Sequence, residues 1–92
     1  MIKTFTHKGL KHFYELESKA GISPSHVTKL KDILASLDAA VVVNDMDAPG
    51  YGLHPLKGNL KGYWAVSVSG AWRIIFRMEG ENVFDVDYLQ YH

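Results

Sequence analysis

The chain has 92 residues, 47% of them apolar and 22% charged, with ten basic and ten acidic side chains and no cysteine. That length suits a single domain spanning residues 1–92, and the composition is that of a globular rather than a disordered chain. Without cysteine there is no disulfide framework, thiolate metal site or Cys nucleophile; no apolar run reaches the ~18 residues of a membrane span, and Met1-Ile-Lys-Thr-Phe lacks a signal peptide's apolar stretch. A cytoplasmic location without membrane contact is the expectation.

Ile2 and Phe5 mark a short N-terminal strand. From Thr6, read as an N-cap, Leu10, Phe13, Leu16 and Ala20 recur at three- and four-residue steps, which predicts a helix ending at Gly21. Ser23 as N-cap, Pro24 at the first helical position, and Val27, Leu30, Leu34 and Leu37 predict a second helix. With only Gly21-Ile22-Ser23 between them, the two helices are expected to form an antiparallel hairpin. Residues 44–52 read as loop.

Beyond residue 52 the period becomes two. Trp64, Val66 and Val68 alternate with Tyr63, Ala65 and Ser67; Trp72, Ile74, Phe76 and Met78 alternate with Arg73, Ile75 and Arg77; Phe84, Val86 and Tyr88 alternate with Val83, Asp85 and Asp87. Three-residue turns at Ser69-Gly70-Ala71 and Glu79-Gly80-Glu81 pair Val68 with Trp72, Val66 with Ile74 and Trp64 with Phe76. The same logic pairs Phe76 with Phe84, Ile74 with Val86 and Trp72 with Tyr88. The large apolar side chains then share one face for the helices to cover. The predicted fold is α+β: an N-terminal strand and a two-helix hairpin packed on one face of a twisted antiparallel β-sheet. The other face carries Ser67, Arg73, Arg77, Asp85 and Asp87, with Arg73 between Ser67 and Asp87 on a central strand.

Charge is neutral in sum but blocked in sequence. Residues 1–31 hold six Lys against two Glu, and residues 53–77 hold Lys57, Lys61, Arg73 and Arg77 with no acid, while residues 32–52 and 78–92 hold four acids each. Such blocking can fold into a surface with one basic side.

His54-Pro-Leu-Lys57-Gly58 and the terminal Tyr91-His92, set beside Arg73, supply two imidazoles, a phenol, an ammonium and a guanidinium. Cleavage of RNA needs a base for the 2′-hydroxyl, an acid for the 5′-oxygen and cations for the charged phosphorane. Histidine can carry the proton either way near neutrality, and Arg and Lys stabilise the equatorial oxygens, so the set calls for no metal or cofactor. His7, His12 and His26 fall on the helical half and are read as solvated. The five histidines show no HxxxH or HxxE spacing. Tyr63, exposed by parity with Ser67 and Arg73, is the better candidate for base stacking; Trp64 and Trp72 read as core.

These residues carry a family resemblance. Met-Ile-Lys-Thr-Phe-Thr-His-Lys-Gly-Leu at the start, Leu53-His-Pro-Leu-Lys-Gly58, Gly62-Tyr-Trp-Ala-Val-Ser-Val68, Trp72-Arg-Ile74 and Tyr91-His92 resemble HigB toxins of the RelE/ParE superfamily. The resemblance runs over essentially the whole chain. It implies a type II toxin–antitoxin toxin: a ribosome-dependent endoribonuclease, or mRNA interferase, that cuts mRNA in the ribosomal A site and so inhibits translation. It also implies a HigA-type helix-turn-helix antitoxin as partner, with operator DNA reached only through that antitoxin, and the 70S ribosome as the platform. Carried over by position, His54 and His92 match the acid–base histidines, Lys57 and Arg73 the phosphate-stabilising cations, and Tyr91 the tail residue that orients substrate. The family often has an acid where this chain has Gln90. Lys3, Lys8, Lys11, Lys57 and Lys61 are candidate ribosome contacts, and Tyr63, Ser67 and Arg77 candidate RNA contacts. A ParE-type gyrase inhibitor sharing the fold, or a nucleic-acid-binding module without chemistry, are the alternatives; neither uses the terminal Tyr-His or the His54/Lys57 pair.

Overall fold

A computed structural model describes residues 1–91 of the chain. Two helices, α1 (Lys8–Leu16) and α2 (Val27–Ala39), pack on a four-stranded antiparallel sheet. The strands are β1 (His54–Pro55), β2 (Trp64–Ser69), β3 (Trp72–Glu79) and β4 (Asn82–Gln90), in the order β1-β2-β3-β4. The α+β architecture is the predicted one. The first residues run parallel to β4 through bridges from Ile2 to Val83 and Phe5 to Val86, which cover that edge of the sheet.

The helices differ from expectation at their ends. α1 is capped by His7, not Thr6: the imidazole Nδ1 accepts the Leu10 amide at 2.9 Å. It stops at Leu16, well before Gly21, because Glu17 turns left-handed (φ 57°) and donates its amide back to the Phe13 carbonyl at 3.0 Å. Leu16, read as core, is 72% exposed, and buried Ile22 fills the interior instead. A 3₁₀ turn over Pro24–His26 leads into α2, so seven residues, 17–23, separate the helical segments. Leu30, Ile33, Leu34 and Leu37 of α2 join Leu10 and Phe13 of α1 over Val66, Ile74, Phe76, Val83, Val86 and Tyr88 of the sheet.

The loop after α2 contains a 3₁₀ turn over Val43–Met46, whose Asp45 carboxylate accepts the Val41 and Val42 amides at 2.9 and 3.2 Å. Those two bonds hold the carboxyl below its usual range. Asp38, at the end of α2, accepts the Ile2 amide at 2.9 Å and the Tyr14 hydroxyl at 2.7 Å. Burial opposes its ionisation, but these donors outweigh it and keep the carboxyl below the ordinary value; Tyr14 is pushed up to about 12 by burial and by that bond.

From Trp64 to Ser67 the predicted β2–β3 register holds, with Trp64 facing Phe76, Val66 facing Ile74 and Ser67 facing Arg73, but Trp72 pairs with Ser69 and not with Val68. A bulge between Ser67 and Ser69 lets the turn close on two residues, Gly70-Ala71, in place of three. The β3–β4 register departs from expectation. Glu79 pairs with Asn82 across a two-residue turn, Arg77 pairs with Phe84, and beyond a second irregularity Ile74 pairs with Tyr88 and Arg73 with Leu89. Asp85 and Val86 together stand opposite Phe76, one residue more than the ladder needs, with Asp85 at φ 56°. Below this bulge the parity inverts: Val83 is fully buried, and Phe84 turns to the other face under the Arg77 guanidinium, 4.9 Å from its ring. Asp87 consequently lies opposite Ile75, not Arg73.

His26 is not solvated. It is 5% exposed, with Nδ1 at 2.6 Å from the Tyr88 hydroxyl, and both rings pack with Trp72. Burial raises the Tyr88 pKa. This polar pair inside the core joins the start of α2 to the last strand.

Candidate active site

Residues directly opposite in antiparallel strands share a face. His54 pairs with Ala65, Ala65 with Ile75, and Ile75 with Asp87, giving one row on the face away from the helices. The next row toward the β2–β3 turn holds Ser67, Arg73 and Leu89. Ala65 and Ile75 are buried, at 0% and 4% exposure, yet lie outside the main core cluster; they form an apolar floor beneath longer polar neighbours.

Segment 51–56 reaches this floor as an extended strip along β2. The Ser67 amide donates to the Tyr51 carbonyl at 2.6 Å and the Leu56 amide to the Tyr63 carbonyl at 2.9 Å. Between these ties stands His54, exposed, with Nδ1 at 2.9 Å from the Gly52 carbonyl. A carbonyl only accepts, so Nδ1 carries a proton and Nε2 is the nitrogen that gains or loses one. Gly52 itself is left-handed (φ 57°), which lets the chain turn back toward that imidazole.

Arg73 directs Nη1 to the carbonyls of Gly70 and Trp72 at 2.6 and 2.9 Å, which fixes the guanidinium at the β2–β3 turn. Among the described residues no carboxylate pairs with it. From strand spacing and rise, the α-carbons of His54 and Arg73 are about 12 Å apart across the sheet. The Tyr91 amide donates to the Ala71 carbonyl at 2.8 Å, so the tail runs beside the Arg73 turn. His92 lies outside the described residues. Lys57 is exposed at the start of a 3₁₀ turn over Gly58–Leu60, and Lys61 is exposed at its end.

The other candidates divide by layer. Tyr63 and Ser67 are half-buried on the His54 side of the sheet. Lys8 and Lys11 are exposed on α1, in the layer behind the sheet, and Lys3 is exposed beside β4. Arg77 shares the open face but is occupied: it forms ion pairs with Asp85 (2.7 Å) and Glu79, which raise its pKa further. Asp85 went unread as a functional residue in the sequence. Its carboxylate meets Arg77, Tyr63 and Thr4, and the Arg77 bond is the main cause of its lowered pKa.

The model of the family described as the RelE-like toxin of the type II toxin–antitoxin system HigB matches residues 3–92. The chain belongs to the HigB family. It is 37% identical to Endoribonuclease HigB of Proteus vulgaris over 92 residues, the full length of both. Toxin HigB-1 of Vibrio cholerae is 35% identical over 79 residues, 84% of this chain and 83% of that protein. Among solved structures, the YoeB-YefM complex from Staphylococcus aureus superposes with a TM-score of 0.64 at 21% identity, covering 100% of this chain and 95% of that one, a likeness of fold. The helices of this HigB-family chain cover one side of the sheet and leave the other, with His54 and Arg73, open. No helix among the described residues is long and apolar enough to cross a membrane.

Proposed function

We propose that this chain is an endoribonuclease toxin that cuts mRNA in the ribosomal A site, with His54, Lys57, Arg73, Tyr91 and His92 as its reacting groups. One imidazole takes the proton of a 2′-hydroxyl, whose oxygen attacks the adjacent phosphorus; the P–O5′ bond breaks and the other imidazole protonates the leaving oxygen. The product is a 2′,3′-cyclic phosphate and a free 5′-hydroxyl. Lys57 and Arg73 neutralise the pentavalent intermediate's equatorial oxygens. Tyr91 sits at the tail to orient the scissile nucleotide. The observation that carries the reading is His54, exposed and tautomerically fixed by the Gly52 carbonyl, on the same open face as Arg73. The Proteus relative's name supports the activity, and Gln90 leaves His92 an amide neighbour in place of a carboxylate.

Dependence on the ribosome follows from size and charge. A chain with a radius of gyration of 12.0 Å and no net charge offers few base contacts and little general attraction to RNA. Ribosomal RNA facing Lys3, Lys8, Lys11, Lys57 and Lys61 would hold the toxin against a message presented in line. Its antitoxin partner is of the HigA type, a helix-turn-helix protein that carries the pair to operator DNA. Primer extension on a translated message, with and without ribosomes, tests the reading. New 5′ ends are expected only with ribosomes present, and an intact message in both reactions would overturn it.

A further inference from the structure

Asp85 is the only non-glycine residue of the described strands with a left-handed backbone; the two tight turns of the sheet place Gly70 and Gly80 at positive φ instead. A conformation that disfavours side chains persists where the side chain has a use. Here the bulge swings the carboxylate out of the β4 row and onto the open face. There Oδ2 accepts the Arg77 Nε at 2.7 Å and the Tyr63 hydroxyl at 3.2 Å, while Oδ1 accepts the Thr4 hydroxyl at 3.2 Å. The Asp85 amide returns a bond to Thr4 Oγ1 at 2.8 Å. One residue thus collects side chains from the N-terminal segment, from β3 and from the residue just before β2.

Tyr63 makes this more than local bracing. Its carbonyl holds Leu56 and its amide donates to the Leu60 carbonyl at 2.9 Å, so its backbone grips both ends of the segment bearing Lys57. Its half-buried phenol lies two residues along the chain from Ala65 of the His54 row, on the same face. Resting on the endoribonuclease reading above, we infer that Asp85 is a positioning residue: by holding the Tyr63 hydroxyl and the Arg77 guanidinium it sets the aromatic surface against which an RNA base stacks beside His54. Arg77, neutralised by Asp85 and Glu79, serves as part of the frame and leaves phosphate to Lys57 and Arg73.

The test is steady-state cleavage of a translated message on ribosomes by Asp85→Gly, Asp85→Asn, Tyr63→Phe and the Asp85→Gly/Tyr63→Phe double variant, with a melting temperature for each. Glycine accepts the left-handed backbone and keeps the amide bond to Thr4, so Asp85→Gly removes the carboxylate alone. It is expected to raise KM about five- to ten-fold with kcat unchanged, the loss of one charge-assisted anchor. Asp85→Asn, which still presents one oxygen to Tyr63, should recover most of that KM. Tyr63→Phe should raise KM in the same direction, and the double variant should add little to the larger single effect. Wild-type KM in Asp85→Gly overturns the inference, as does a fall in melting temperature and activity together that Asp85→Asn fails to rescue. In both cases the wild-type protein still cuts and the endoribonuclease reading stands. A wild-type protein that leaves the message intact removes that reading, and the role of Asp85 with it.

Discussion

On the side of the sheet that meets the helices, Val66, Ile74, Phe76, Val83 and Val86 are fully buried and uncharged. On the opposite side the buried pair Ala65 and Ile75 has His54, Ser67, Arg73 and Asp87 as neighbours in the strand lattice. Both sides bury apolar atoms, but the first does so with whole elements and the second with a thin layer of polar side chains. The difference separates stability from chemistry: a chain of this size can leave one face of its sheet unpartnered because the other carries the fold.

That division can be broken from either side. Phe76→Ala, which empties the middle of the core, should cost about 4 kcal/mol, and a denaturation curve should show the protein largely unfolded at moderate denaturant. His54→Gln should leave the same curve within about 0.5 kcal/mol of wild type, because the ring is exposed. Its cleavage rate should fall at least about 100-fold. Arg73→Ala should lower the rate by a similar factor and also leave stability nearly unchanged. Should His54→Gln melt early, the open face would be holding up the fold and the contrast would collapse.

Tyr88→Phe sharpens the comparison from inside the core. It removes the hydroxyl facing His26 Nδ1 and leaves that nitrogen without its partner in a site 5% exposed. The expected loss is about 1–2 kcal/mol of stability, read by denaturation, with the cleavage rate per folded molecule unchanged. The smallest effect belongs to Asp38. Its carboxyl titrates below the ordinary value in the fold, so the unfolded chain binds the proton more readily. The stability it contributes is present above the ordinary carboxylate range and lost as pH falls through the folded value. Asp38→Asn should cost about 1 kcal/mol at neutral pH and less at acid pH, the difference shrinking as pH falls below the ordinary carboxylate value, by denaturation at a series of pH values.

The strongest elements were legible from periodicity. From Trp64 to Ser67 the β2–β3 register followed from alternation, since Trp64 against Phe76 and Val66 against Ile74 turns the large side chains to the helix side; the bulge that brings Ser69 opposite Trp72 did not. The β3–β4 register did not, because alternation carries no mark of an inserted residue; Asp85 reads as one more polar position until its backbone is seen to turn left-handed. α1 was extended to Gly21 because Leu16 and Ala20 continue the helical step, whereas the stop is a left-handed Glu17 that composition does not announce. His26 looked like a solvated helix residue, since its burial depends on a tyrosine 62 positions away. At the candidate site, His54 and Arg73 are singled out by their chemistry, and the strand pairings set both on the open face. The occupation of Arg77 by Asp85 and Glu79 belongs to the fold, not to sequence spacing.

The bridges from Ile2 to Val83 and from Phe5 to Val86 have a temporal side. A polypeptide emerges from its own synthesis in order, and its earliest residues here have no strand to lie against until almost the last have been added. The edge of the sheet, and the Thr4 bonds to Asp85 with it, cannot form before residues 83–86 have been added, so this border is among the last parts of a newborn chain to close.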